Sequence, residues 1–127
     1  MTFLLADDSR TARNILKSFL NEIRIPSSPP VYLEASSGEE ALSLVQNERV
    51  DLVFLDWNMS TVMTGLDVLI EIRKIGRLKE LPIIMVTSEI EKTNVIASLK
   101  MGANDYLVKP VEEKTFRKKV NRILKLE

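Results

Sequence analysis

Three short stretches, FLLA (3–6), LVFL (52–55) and IIMV (83–86), are apolar at every position. A strand with one wet face alternates apolar and polar residues, so a run without alternation has to be covered on both sides, as strands are in a parallel sheet between helices. The sequence between the runs supplies the covers. Ala12, Ile15, Leu16, Phe19, Leu20 and Ile23 recur at helical spacing and fall on one stripe. Further helical patterns occupy 38–47, 65–75, 92–101 and 112–126, and VYLEA (31–35) and DYLV (105–108) read as two weaker strands. IPSSPP (25–30) breaks the chain after the first helix, and Gly102 is a natural helix stop.

Strand and helix therefore alternate five times, which predicts an α/β fold: a five-stranded parallel sheet, doubly wound, with helices on both faces. Right-handed crossovers leave few strand orders, and the expected one is 2-1-3-4-5, flavodoxin-like. At 127 residues the chain is expected to form a single domain spanning 1–127.

Composition removes whole classes of chemistry. Without cysteine there is no disulfide or thiolate metal site, and without histidine there is no imidazole catalyst, so acid–base work falls to Asp, Glu, Lys or Tyr. Equal numbers of acidic and basic residues argue against nucleic acid as a partner. The basic stretch RKKVNRILK (117–125) reads as the wet face of the last helix, with Val120, Ile123 and Leu124 turned inward. No apolar run is long enough for a leader or a membrane span, so a cytoplasmic protein without membrane insertion is expected. G-x-G-x-x-G, P-loop and calcium-loop motifs are absent.

Open parallel sheets bind ligands beyond the carboxyl ends of their strands. Asp7 and Asp8 follow the first strand, Asp56 the third, Thr87 and Ser88 the fourth, and Lys109 with Pro110 the fifth. In the expected order these four strands are neighbours, so the groups converge. Each has a plain alternative: Asp8 or Ser9 suits a helix N-cap, Thr87 a turn hydroxyl, Lys109 a surface lysine, and Tyr106 a half-buried sheet residue. Coincidence at four adjacent strand ends favours the functional reading. A like-charge pair about 4 Å apart costs ~4 kcal/mol at an effective dielectric of roughly 20, so the acids need cationic company. Lys109 offsets one charge, and a divalent ion with oxygen ligands, best Mg2+, suits the remainder.

With DD (7–8), LDWNM around Asp56, VTSE around Thr87 and GANDYLVKP ending in Lys109 and Pro110, the chain resembles the receiver domains of bacterial response regulators over essentially its whole length. The resemblance implies that Asp56 accepts a phosphoryl group from a histidine kinase. It also implies that Asp7, Asp8, Asp56 and the backbone carbonyl of Asn58 hold Mg2+, and that Lys109 and Thr87 contact the phosphoryl oxygens. Thr87 and Tyr106 then form the switch that alters partner binding at the face of helix 4, strand 5 and helix 5. Asn58 and Glu89, the implied rate-tuning positions, match the chemotaxis members of the family, as do Trp57 and Tyr106. This points to motility signalling, with the flagellar motor or another signalling protein downstream.

The chain departs from the family at Ser60, where receivers usually carry proline, and STVMTG (60–65) makes the following loop one residue longer than in the chemotaxis members. The resemblance also implies a protein that is not an enzyme beyond its own phosphorylation and dephosphorylation, with no output domain. A haloacid-dehalogenase-like aspartyl-phosphate hydrolase ranks lower, because Asn58 stands where such enzymes need a second acid. A receiver-like binding module that is never phosphorylated is disfavoured by the intact acidic set.

Overall fold

The computed structural model describes residues 1–25, 29–59, 62–88 and 92–126. Five strands, β1 (Thr2–Ala6), β2 (Val31–Ala35), β3 (Leu52–Asp56), β4 (Ile83–Ser88) and β5 (Asp105–Lys109), form one parallel sheet. Its order is β2-β1-β3-β4-β5, as expected. The helices are α1 (Arg10–Asn21), α2 (Gly38–Asn47), α3 (Gly65–Lys74), α4 (Lys92–Lys100) and α5 (Glu113–Leu124).

The unalternating runs are buried on both faces because successive side chains enter different cores. Leu4, Val53, Leu55, Ile83 and Met85 pack with Ala41 and Val45 of α2 and with Val68, Leu69 and Ile72 of α3. Phe3, Leu5, Phe54, Ile84 and Val86 pack with Leu16 and Leu20 of α1 and with Phe116 and Val120 of α5. Phe54 and Phe116 stack with ring centroids 5.3 Å apart. The two weaker strand patterns belong to the two sheet edges, where fewer side chains are covered and Val31 is exposed.

Helix starts follow local chemistry. Ser9, not Asp8, caps α1 by accepting from the Ala12 amide, and Ser37 caps α2 through the Glu40 amide. Thr64 and Asp67 exchange hydrogen bonds in a capping box at α3. The sequence pattern carried α3 to residue 75, but the helix ends at Lys74 and a short 3-10 turn, Gly76–Leu78, follows. Periodicity cannot register a single turn.

Three of the strands run further than the apolar pattern. Asp56 pairs with Val86, Thr87 with Val108, and Ser88 with Lys109, so these polar residues lie on the last rungs of the ladders and not just beyond them. Apolar runs mark where a strand is buried, whereas backbone pairing continues until the chain turns.

At Gly65 the start of α3 lies against the end of β3. The Gly65 amide donates to the Trp57 carbonyl at 2.8 Å, and a Cβ at Gly65 would stand 2.2 Å from the Asp56 carbonyl oxygen. Neither backbone atom can yield cheaply. At Gly76 an added Cβ meets nothing within 4 Å. Urea denaturation is therefore expected to find Gly65→Ala destabilised by roughly 2–4 kcal/mol and Gly76→Ala within about 0.5 kcal/mol of wild type. Equal effects at the two glycines would contradict the close approach.

Candidate functional site

Asp7 ends the β1 exit and is 2% exposed, while Asp56 on the last rung of β3 is 4% exposed. Burying two carboxylates together is unfavourable unless their lone pairs are engaged. For Asp7, Oδ1 accepts from the Ser9 amide at 2.9 Å and Oδ2 accepts from Lys109 Nζ at 2.8 Å. Lys109 Nζ also lies 3.4 Å from Asp56 Oδ1, so a single ammonium bridges the two acids across the β1-β3-β4-β5 arrangement. The plain reading of Lys109 as a surface lysine fails on this geometry.

The charges act on one another. Burial first, and the neighbouring Asp7 charge second, push the Asp56 carboxyl up to about 7, against the opposing pull of Lys109 and the Asn58 amide hydrogen bond. For Lys109, burial disfavours the ammonium, yet the hydrogen bond to Asp7 and the charges of Asp56 and Asp7 outweigh it and hold its pKa above the ordinary lysine value.

Asp8 is exposed beside them, and oxygens of Asp7, Asp8 and Asp56 all lie within 4.8 Å of one another. An all-oxygen donor set with two buried members fits a hard divalent cation. Thr87 is 1% exposed on the rung after Val86, and among the described residues its hydroxyl makes a long 3.4 Å contact to the Ser88 carbonyl. Tyr106 is half-buried opposite Met85. Asn58 is exposed two residues beyond Asp56, and Glu89 lies outside the described residues, as does Ser60.

The structure thus brings Asp7, Asp8, Asp56 and Lys109 together. Thr87 and Tyr106 line the neighbouring strands. Two features escaped the sequence reading. Arg13 of α1 donates from Nη1 to the Asp7 carbonyl and from Nε to Glu34 at 2.9 Å, fastening the acidic turn to the helix it precedes. Its position one helical turn after the Ser9 cap was the only available signal. Beside Asp7 and Lys109, a notch of about 150 Å³ is lined by Ala12, Ile15, Leu16, Pro110 and Val111.

The elevated Asp56 pKa carries a stability consequence. In the unfolded chain the carboxyl ionises near its ordinary 3.8, and in the folded protein at about 7. Its contribution is complete below the unfolded value and is lost as pH rises through the folded one. In the presence of a chelator, Asp56→Asn is expected to exceed wild type in stability by roughly 2–4 kcal/mol near pH 8, by less at pH 5, and to converge with it only as the pH falls below about 4. Urea melts at both pH values measure this, and a pH-independent difference would refute it.

Residues 3–121 match the family described as the response regulator receiver domain. The chain is 39% identical over 125 residues to chemotaxis protein CheY1 of Helicobacter pylori, covering 98% of this chain and 97% of that one. It is 35% identical over 123 residues to chemotaxis protein CheY of Pseudomonas aeruginosa, covering 97% and 95% respectively. Among solved structures, chemotaxis response regulator CheY4 of Vibrio cholerae superposes with a TM-score of 0.82 at 30% identity, covering 96% of this chain and 97% of that chain. CheY is itself a standard example of the 2-1-3-4-5 order. Fold, acidic site and sequence agree, and the chain belongs to the response regulator receiver domains, in their CheY-like branch.

Proposed function

We propose that the protein is a phosphorylatable switch of a two-component system, in which a histidine kinase passes a phosphoryl group to Asp56. The observation that carries this reading is the convergence of three carboxylates within 4.8 Å of one another on a lysine that bridges two of them. An Asp56 oxygen forms the new O–P bond as the donor's N–P bond to imidazole breaks, and the departing imidazole takes up a proton. Phosphoryl transfer asks for positioning and charge neutralisation more than for covalent assistance, and the site is built for both. Lys109, already held at 2.8 Å from Asp7, supplies a fixed positive charge. Asp7, Asp8 and Asp56, with the Asn58 carbonyl, would hold Mg2+, which when bound offsets the negative charge of acids and phosphoryl oxygens. The apolar notch beside Asp7 and Lys109 gives the donor protein a surface to rest on next to the acceptor.

Modification turns a group of charge about −1 into one of roughly −2 with added acceptor oxygens. The buried Thr87 hydroxyl, weakly engaged at 3.4 Å, is free to turn toward them. The ring of Tyr106 then follows into the vacated space, and the face of α4, β5 and α5 changes for a downstream protein. That partner, a flagellar motor component or another signalling protein, shifts the population only by its differential affinity for the two states. The likeness to proteins named for chemotaxis supports the motility assignment. No external substrate is turned over; the chemistry is confined to the protein's own phosphorylation and dephosphorylation.

Incubation with magnesium and a small phosphodonor is expected to add the mass of one base-labile phosphoryl group, and Asp56→Asn to add none. Full labelling of the Asn variant would remove Asp56 from the role. Magnesium alone should alter the fluorescence of Trp57, the sole tryptophan, adjacent to the acceptor. Loss of that response in Asp7→Asn with Asp8→Asn locates the metal, and an unchanged titration places it elsewhere. Thr87→Ala is expected to accept phosphate yet to lose the chemical-shift changes around Tyr106, whereas equal changes in both proteins would break the coupling.

A further inference from the structure

The Tyr106 ring is held by a group that the acceptor chemistry does not use. Lys119 of α5 reaches the free edge of the sheet, where β5 pairs only with β4. Its Nζ lies 3.1 Å from Asp105 Oδ1, donates to the Tyr106 carbonyl, and stands 4.0 Å from the centroid of the Tyr106 ring. Both members of the ion pair are mostly covered, with side-chain exposures of 18% and 16%. Asp105 is fixed in turn, since its Oδ1 also accepts from the Tyr106 amide at 2.8 Å.

These contacts differ in what can break them. The carbonyl and Asp105 contacts anchor the ammonium to β5 itself, and they survive rotation of the Tyr106 side chain. The ring contact does not. A mostly desolvated cation over an aromatic face is attracted to the ring quadrupole more strongly than in open water, so rotation of the ring away from Lys119 is opposed.

Resting on the switch proposed above, we infer that Lys119 is a positioning residue for Tyr106: a latch that holds the ring in the position seen here and sets how much of the unmodified protein already occupies the switched arrangement. The threshold for switching is thus set on α5, away from the phosphoryl site. Removal of the ammonium is expected to raise the switched fraction of the unmodified protein about three- to tenfold.

Tyr32 and Tyr106 are the only tyrosines, so selective labelling of tyrosine rings gives one reporter and one internal control. Ring resonances and Overhauser contacts to the Thr87 methyl, measured without phosphodonor, read the ring position. Lys119→Met is expected to move Tyr106 toward Thr87 and leave Tyr32 in place. Lys119→Arg, which keeps a cation over the ring, is expected to restore the wild-type position. Asp105→Asn, which loosens the anchor and leaves an acceptor for the Tyr106 amide, should shift the ring the same way but less, and it decides the matter if Lys119→Met does not fold. Wild-type ring positions in Lys119→Met and Asp105→Asn, whatever their stability, overturn the latch, because a lysine that merely capped the sheet edge would change stability alone. Phosphoryl uptake at Asp56 is followed separately by mass. A wild type that takes up none overturns the proposed function while leaving the ring position readable, and normal uptake with an unmoved ring overturns only the latch.

Discussion

Two carboxylates buried a few ångströms apart repel each other, and the Lys109 ammonium is what allows the folded chain to hold them. At 2.8 Å from Asp7 and 3.4 Å from Asp56 it ties the exits of β1, β3 and β5 into one electrostatic unit. Even so, burial first and the Asp7 charge second still displace the Asp56 carboxyl upward. A hard divalent cation among these oxygens would relieve the repulsion that is left. Charge balance at these atoms is thus left partly open in the protein alone.

The rest of the architecture keeps that unit in register. Parallel pairing sets Asp56 level with Val86 and Thr87 level with Val108, so both residues are placed by backbone hydrogen bonds and not by side-chain packing. Arg13 and the Ser9 amide hold the acidic turn from the α1 side. Each tether is local, but their common target is the Asp7 backbone and carboxylate.

Much of this was legible in the sequence because it follows from one-dimensional pattern. Unalternating runs announce strands covered on both faces, and FLLA, LVFL and IIMV became the three central strands. The site residues could be found because strand exits are fixed once the strands are. What escaped was pairing at long sequence separation. Nothing in the chain joins Lys119 to Asp105 and Tyr106 until α5 packs beside β5, and Arg73 is similarly unreadable although it donates to the carbonyls of Gly102 and Leu78. The 3-10 turn at 76–78 and the last rungs of β3, β4 and β5 were missed for a different reason, since hydrogen bonding outlasts the apolar pattern there.

The approach of Gly65 to β3 also fixes the residue that follows Asp56. Trp57 is held from both directions, its amide donating to the Val86 carbonyl at 3.0 Å and its carbonyl accepting from Gly65 at 2.8 Å. Trp57 and Gly65 thus meet at the end of β3. The main chain next to Asp56 is therefore fixed by amide and carbonyl contacts, so side chains at 57 can change in size without moving it, whereas any side chain at 65 displaces it.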